Sequence, residues 1–93
     1  MARKTVRSRI SEMLAMGRRY VASTRKAIKD GDVEYAVVMF WSAANAIGAA
    51  EGALEMVAPS AMTQKQYDDL WSRQTLLADE TMRDLKDELV AAL

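Results

Sequence analysis

The stretch that decides the fold spans residues 32–58, and its centre, residues 35–50, has the sequence YAVVMFWSAANAIGAA. No charged residue lies between Glu34 and Glu51. One apolar row recurs at alternating spacings of four and three, as on one face of an α-helix, and comprises Ala36, Phe40, Ala43, Ile47, Ala50, Leu54 and Val57. A second apolar row beside it comprises Val33, Val37, Ala44 and Gly48. Because a helix that is apolar around so much of its circumference is normally covered from more than one side, we predict the central helix of a bundle.

A basic amphipathic helix is predicted upstream, over residues 6–29, where apolar residues keep three- and four-residue spacing. Lys26 and Lys29 stand near its C-terminal end, where the helix dipole favours cations. Gly31 is expected to adopt the left-handed conformation that closes this helix, and Asp32 to cap the next one. So short a connection predicts two antiparallel neighbouring helices.

The central helix is expected to end near Ala58, because Pro59 disfavours helical geometry in the residue before it. Thr63 and Gln66 then have the spacing of a capping box at the start of a third helix. The residues of that helix expected to face the core are Tyr67, Leu70, Trp71, Gln74, Leu77, Ala78, Thr81, Leu85, Leu89 and Ala92.

Taken together, these patterns predict an all-α protein, an antiparallel up-down-up three-helix bundle with long helices at about residues 6–29, 32–58 and 63–92. Ninety-three residues are enough for a single domain, residues 1–93, with no room for a second core. Residues 1–5 are expected to form a flexible basic tail.

The composition argues against an enzyme. The chain has no cysteine and no histidine, which excludes disulfides, thiolate metal sites and the commonest general base. Asn45, Glu51 and Gln74 are polar residues near apolar surface that would suit a ligand pocket or acid–base chemistry, but such residues more often lie at a core margin. With no converging carboxylate pair at defined spacing, we predict no catalytic residues, no metal site and no cofactor.

We also expect no membrane span, since the uncharged run at residues 35–50 is shorter than the ~20 residues that a span needs. The basic N-terminus lacks the apolar core of a signal peptide. These two features together predict a soluble, cytoplasmic protein.

The charges are distributed unevenly although they balance overall. Residues 1–29 hold nine basic and one acidic side chain, a net charge of +8, and the remaining residues hold four basic and twelve acidic ones, a net charge of −8. One interpretation is that the basic first helix pairs with the acidic third helix inside the bundle. The alternative is a nucleic-acid-binding helix whose phosphate contacts are Arg3, Lys4, Arg7, Arg9, Arg18 and Arg19.

Three large side chains, Tyr35, Met39 and Trp41, fall off the main apolar row of the central helix. In a plain three-helix bundle some of them would face water, and exposed large apolar groups mark interfaces. We therefore predict a non-enzymatic interaction, adaptor or self-assembling protein that uses this flank. The expected partner is a second copy, with a dimer favoured, or a partner helix.

Residues 31–54, GDVEYAVVMFWSAANAIGAAEGAL, resemble the helical hairpin of HEPN domains, in which a Gly-Asp-aromatic turn opens a helix of small and aromatic residues. The same stretch is similar to the three-helix MIT domain, with Gly31, Ala36 and Phe40 at matching places and Leu85-Lys86 in the third helix. HEPN ribonucleases carry an Arg-and-His motif, which this chain cannot supply. The resemblance to non-catalytic HEPN members implies pairing with a nucleotidyltransferase, and the resemblance to MIT domains implies binding of helical peptides between helices.

Overall fold

The computed structural model describes residues 5–93, and all regular secondary structure in that range is helical. The first two helices are α1, Val6–Lys29, and α2, Val33–Met56. A 3₁₀ turn at Pro59–Ala61 connects α2 to a third helix, residues 64–92. The third helix has three consecutive parts, which are α3 at Gln64–Thr75, a π segment at Leu76–Thr81 and α4 at Met82–Ala92. The all-α prediction is confirmed.

Side-chain caps fix where α1 begins. The backbone N–H of Ser8 donates to the Thr5 hydroxyl oxygen at 3.0 Å, so Thr5 is the N-cap residue. This bond satisfies one of the backbone donors that the first turn of a helix leaves unpaired. Thr5, which we assigned to the tail, thus belongs to the folded structure, and residues 1–4 lie outside the described range.

The turn between α1 and α2 has the predicted chemistry. Gly31 has a φ of +78°, in the left-handed region that glycine adopts without steric cost. The N–H of Gly31 donates to Ile28 and that of Asp32 donates to Ala27, the two bonds of a Schellman C-cap. The Asp32 carboxylate then accepts from the N–H of Tyr35 at 3.2 Å. One glycine and one aspartate therefore close α1 and open α2.

Helix α2 ends at Met56, two residues earlier than predicted. Both Val57 and Ala58 have extended backbone, with ψ values of 135° and 141°. Pro59 forces extended geometry on Ala58, and the apolar side chain of Val57 packs onto the core as the chain turns. The third helix opens with the predicted capping box, in which Thr63 and Gln66 bond each other's backbone N–H groups at 3.1 and 3.0 Å.

The core comprises three clusters along the molecule, and all three helices contribute to each cluster. The first cluster is centred on Ile10, Leu14, Ile47, Leu54, Leu70 and Leu77. The second comprises Val21, Ala43 and Leu85, and the third comprises Ala27, Ala36 and Leu89. The predicted apolar row of α2 supplies buried residues to every cluster, while Phe40 and Val57, at two places in that row, are partly buried.

Helices α1 and α2 share the most extensive contact in the molecule. Small residues lie along it, including Gly17, Ala27, Ala36 and Ala43, all of which are buried. A Cβ atom placed on Gly17 would lie 2.8 Å from Cγ1 of the buried Ile47. The absence of a side chain at position 17 is therefore what allows the two helices to approach at this level.

The π segment was not predicted. The N–H of Met82 donates to the carbonyl of Leu77, five residues earlier, so the helix accommodates one extra residue at this point. The buried positions explain why, because Leu77, Leu85 and Leu89 are separated by multiples of four residues. Four residues turn an α-helix by about 400°, so the direction of the side chain rotates about 40° past a full turn with each four-residue step. The wider π turn absorbs this rotation and keeps the leucines facing the core.

The contact at Gly17 can be tested with a matched pair of substitutions. Gly17→Ala gains helix propensity but overpacks Ile47, whereas a Cβ on Gly48 meets no atom within 4 Å. We expect Gly48→Ala to stabilise the fold by about 1 kcal/mol. The free energy of unfolding of the Gly17→Ala variant is expected to be about 1–3 kcal/mol lower than that of the Gly48→Ala variant. Chemical denaturation of dilute protein measures both free energies of unfolding, and equal stabilisation by the two substitutions would contradict the close contact.

Candidate functional site

One side of α2 is largely exposed, and no charged residue lies on it between Glu34 and Glu51. We define the outer face of α2 by seven residues that are exposed or, for Gly52, partly exposed, which are Tyr35, Val38, Trp41, Asn45, Ala49, Gly52 and Met56. Successive members are three or four residues apart and so lie along one side of the helix. Trp41 is 63% exposed, Val38 55% and Tyr35 50%. Exposed large apolar side chains clustered on one face are a common feature of interaction sites.

The structure places the three predicted interaction residues on two sides of α2. Tyr35 and Trp41 lie on the outer face and are exposed. Met39 lies four residues before the buried Ala43, on the same side of the helix, and is half-buried. Val38, which was not among the predicted interaction residues, is the exposed residue that lies between Tyr35 and Trp41.

Helix α2 also has the length and composition of a membrane-spanning helix. Its most apolar 18-residue window has a mean hydropathy of 1.3, and 28% of that window is buried inside the structure. A core helix of a water-soluble protein can pass the same test of length and composition. The other residues of α2 are either partly buried, such as Val37 and Phe40, or exposed, such as Trp41.

Few of the basic side chains of α1 form ion pairs with carboxylates of the other helices. Among residues 5–93, Arg25 is the α1 cation that forms an ion pair with the third helix, and its Nε lies 3.0 Å from Glu88 Oε2. The exposed residues Arg7, Arg9, Arg18 and Arg19 form no ion pair with other described residues. Arg3 and Lys4, also predicted phosphate contacts, lie outside the described residues.

The four described arginines do not share one side of α1. Arg7 and Arg18 are eleven residues apart, close to three full helical turns, and therefore point in nearly the same direction. Arg19 is displaced from Arg18 by about 100°, and Arg9 lies on a different side again. These four arginines thus point in several directions rather than along one basic stripe.

A groove of about 460 Å³ runs between α2 and the third helix. Two of the three polar residues singled out from the sequence, Glu51 and Gln74, line it. Gln74 is 3% exposed, whereas Glu51 is exposed at the rim. The third, Asn45, lies on the outer face of α2 and is exposed. Within residues 5–93, no group of three acidic side chains is close enough to hold a metal ion.

No family model, curated protein or solved structure matches this chain. The likenesses to HEPN and MIT domains therefore stay resemblances, and the function is argued from the surfaces described above.

Proposed function

We propose that this chain is a non-enzymatic, self-associating helical protein whose interface is the outer face of α2. The observation that carries the proposal is the continuous exposed row of Tyr35, Val38 and Trp41 in a stretch without charge. Interfaces are depleted of charge at their centres and enriched in tyrosine, tryptophan and methionine. Met56, 88% exposed, continues the same face.

We further propose the antiparallel up-down-up arrangement for the three helices. The order of the core clusters supports it, since Ile10 early in α1 clusters with Leu54 late in α2 and Leu70 early in α3. At the other end, Ala27 late in α1 clusters with Ala36 and Leu89. In this arrangement the outer face of α2 is left uncovered by either neighbour.

The carboxylates of α2 favour a protein partner over a bilayer. Glu34, Glu51 and Glu55 lie within the helix, and all three are exposed. Carrying these charges into hydrocarbon would be costly. In a protein interface they would lie at the rim, where charged groups remain in contact with water.

The distribution of side-chain size along the outer face favours a second copy as the partner. Its N-terminal half is bulky, with Val38 and Trp41, and its C-terminal half is small, with Ala49 and Gly52. If two α2 helices pack antiparallel about a two-fold axis at Asn45, each Trp41 lies over the partner's Ala49 and each Val38 lies over the partner's Gly52. Bulky residues then fill the space beside small ones, as an isologous interface requires.

The antiparallel direction is also favoured electrostatically. It places the positive N-terminal end of one helix dipole beside the negative C-terminal end of the other. A parallel pair would instead place Glu34 beside Glu34, Glu55 beside Glu55 and Trp41 against Trp41.

The first test is the oligomeric state of a variant that puts charge on the outer face. Trp41→Glu should raise the dimer dissociation constant about tenfold or more, because a buried tryptophan anchor is replaced by two unpaired carboxylates. Sedimentation over a micromolar concentration series measures this.

The matched control is Val90→Glu, which changes a residue that is 59% exposed on α4 and is not part of the outer face of α2. It should leave the dissociation constant unchanged. A wild-type chain that is monomeric at every concentration, or two variants that weaken association equally, would contradict the proposal.

The second test is disulfide cross-linking. Because the chain has no native cysteine, every cross-link must involve the introduced cysteines. Asn45→Cys should form a disulfide-linked dimer, because two copies of residue 45 meet at the proposed axis. Val38→Cys and Gly52→Cys should cross-link when mixed and not when alone. A parallel dimer would instead cross-link Val38→Cys with itself, which would refute the antiparallel packing while leaving self-association intact.

A second candidate function is binding of nucleic acid through α1. The observation that favours it is that Arg7, Arg9, Arg18 and Arg19 have no acidic partner among the described residues. Free cations of this kind can neutralise phosphates and release counterions. The scattered directions of these arginines suit non-specific contact with the backbone rather than readout of base edges.

This candidate is tested by retention on DNA and RNA at low salt. A triple change of Arg7, Arg18 and Arg19 to Gln should weaken retention about tenfold or more and flatten its dependence on salt, because fewer counterions are released. The matched control changes Lys65, Arg83 and Lys86 to Gln, removing equal charge outside α1. No retention of the wild-type chain, or equal loss in both triple variants, would exclude α1 as a phosphate-binding surface.

A further inference from the structure

The groove between α2 and the third helix is a separate feature from the outer face of α2. Phe40 and Ile47 line one wall, and Ala78 and Met82 line the other, so the walls are largely apolar. Its volume of about 460 Å³ falls within the range of about 300–1,000 Å³ that small-molecule sites occupy. We propose that this groove binds an elongated apolar molecule with a carboxylate at one end and a hydrogen-bond donor at the other.

Gln74 is the first reason for this assignment. It is 97% buried, yet its side chain makes no hydrogen bond with any described residue. No fully buried side-chain nitrogen or oxygen atom within residues 5–93 lacks a partner, so the Gln74 amide still reaches the solvent in the groove. Buried amides in native proteins are normally hydrogen-bonded. A polar group on a bound molecule would supply the partner that the chain does not.

The charges of the groove set the direction of the ligand. Arg83 and Lys86 line the end formed by α4, and Glu51 lines the groove from α2. Arg83 has one weak ion pair, 3.9 Å from its neighbour Asp84, and Lys86 has none with the described residues. Two cations with few acidic partners favour an anionic group at this end of the ligand. A carboxylate suits the site, because a guanidinium can form two parallel hydrogen bonds with it.

The opposite end requires a hydrogen-bond donor. Leu77, three residues after Gln74, belongs to the same core cluster as Ala50, the neighbour of Glu51. Gln74 and Glu51 therefore lie at a similar level along the molecule. An ionised glutamate only accepts hydrogen bonds, whereas the Gln74 amide both accepts through its carbonyl and donates through its NH₂ group, so a hydroxyl, which donates and accepts, fits there. Arg83 is nine residues from Gln74, about 13 Å along the helix, which sets the separation of the two polar groups.

The π segment lies at the centre of this groove. Ala78, one of its residues, forms part of the wall, so the extra residue of the wider turn shapes the groove directly. Single π turns occur often at functional sites, where they keep a local distortion that a regular helix would avoid.

The experiment uses three ten-carbon probes at concentrations below those at which they form micelles. We expect 10-hydroxydecanoate to shift the Gln74 side-chain amide signals saturably in ¹H–¹⁵N NMR spectra. Decanoate, which lacks the donor, and 1,10-decanediol, which lacks the anion, should each bind about tenfold more weakly. The chain has three glutamines and one asparagine, so Gln74→Leu assigns the signals without ambiguity.

Two variants separate a ligand-binding role from a structural one. Gln74→Leu should not lower the melting temperature, because the Gln74 side chain makes no hydrogen bond with the described residues that the fold would lose, and it should abolish the preference for 10-hydroxydecanoate over decanoate. A double change of Arg83 and Lys86 to Gln should remove the preference for 10-hydroxydecanoate over the diol. A Gln74→Leu variant that is less stable than the wild-type protein would point to a structural role for Gln74 and overturn the proposal.

Equal binding of all three probes would show apolar adsorption only and would overturn the proposal. NMR shifts confined to residues near Trp41, or the absence of a saturable shift at millimolar probe concentration, would also overturn it. Trp41→Glu provides the remaining control. It should leave binding of 10-hydroxydecanoate unchanged, because the groove does not include the outer face of α2.

Discussion

The close approach of α1 and α2 at Gly17 is the constraint on which the rest of the structure depends. A side chain at position 17 would collide with Ile47, so this level of the helix pair admits only a glycine without rearrangement. Small buried residues such as Ala36 and Ala43 continue the close contact toward the other end of the pair. The third helix packs less extensively on this pair, mainly through the leucines at 70, 77, 85 and 89.

This difference in spacing explains where the surfaces arise. Since leucine side chains hold the third helix farther away, grooves remain along it, and the groove beside α2 is where Gln74 and the π segment lie. The same arrangement leaves the far side of α2 uncovered. The molecule is thin in one direction, with principal extents of 46 × 30 × 16 Å, so little of the chain is available to cover both sides of α2.

The features predictable from the sequence are those fixed by a few neighbouring residues. Gly31 with Asp32, and Thr63 with Gln66, determine the turn and the capping box through local hydrogen bonds, and both were predicted. The spacing of the apolar residues of α2 was equally sufficient to identify its buried row.

What escaped prediction depends on three-dimensional packing. Leu77, Thr81, Leu85 and Leu89 are spaced by four residues. This spacing predicts a wider turn only if all four residues are already known to face the same core. The half-burial of Met39 follows from the close approach of α1, since Met39 lies two turns before Ala46, which borders Gly17. The burial of Gln74 beside a groove follows from how far the third helix stands from α2. A single sequence does not specify that distance.

The most direct test of the central claim is the fluorescence of Trp41 as the protein is diluted. The chain has two tryptophans, so Trp71→Phe leaves Trp41 as the sole emitter. Association through the outer face of α2 predicts blue-shifted emission at high concentration and a red shift, with a cooperative transition, on dilution to the monomer. Emission that stays red-shifted at every concentration, while sedimentation reports a dimer, would place the interface elsewhere and contradict the account.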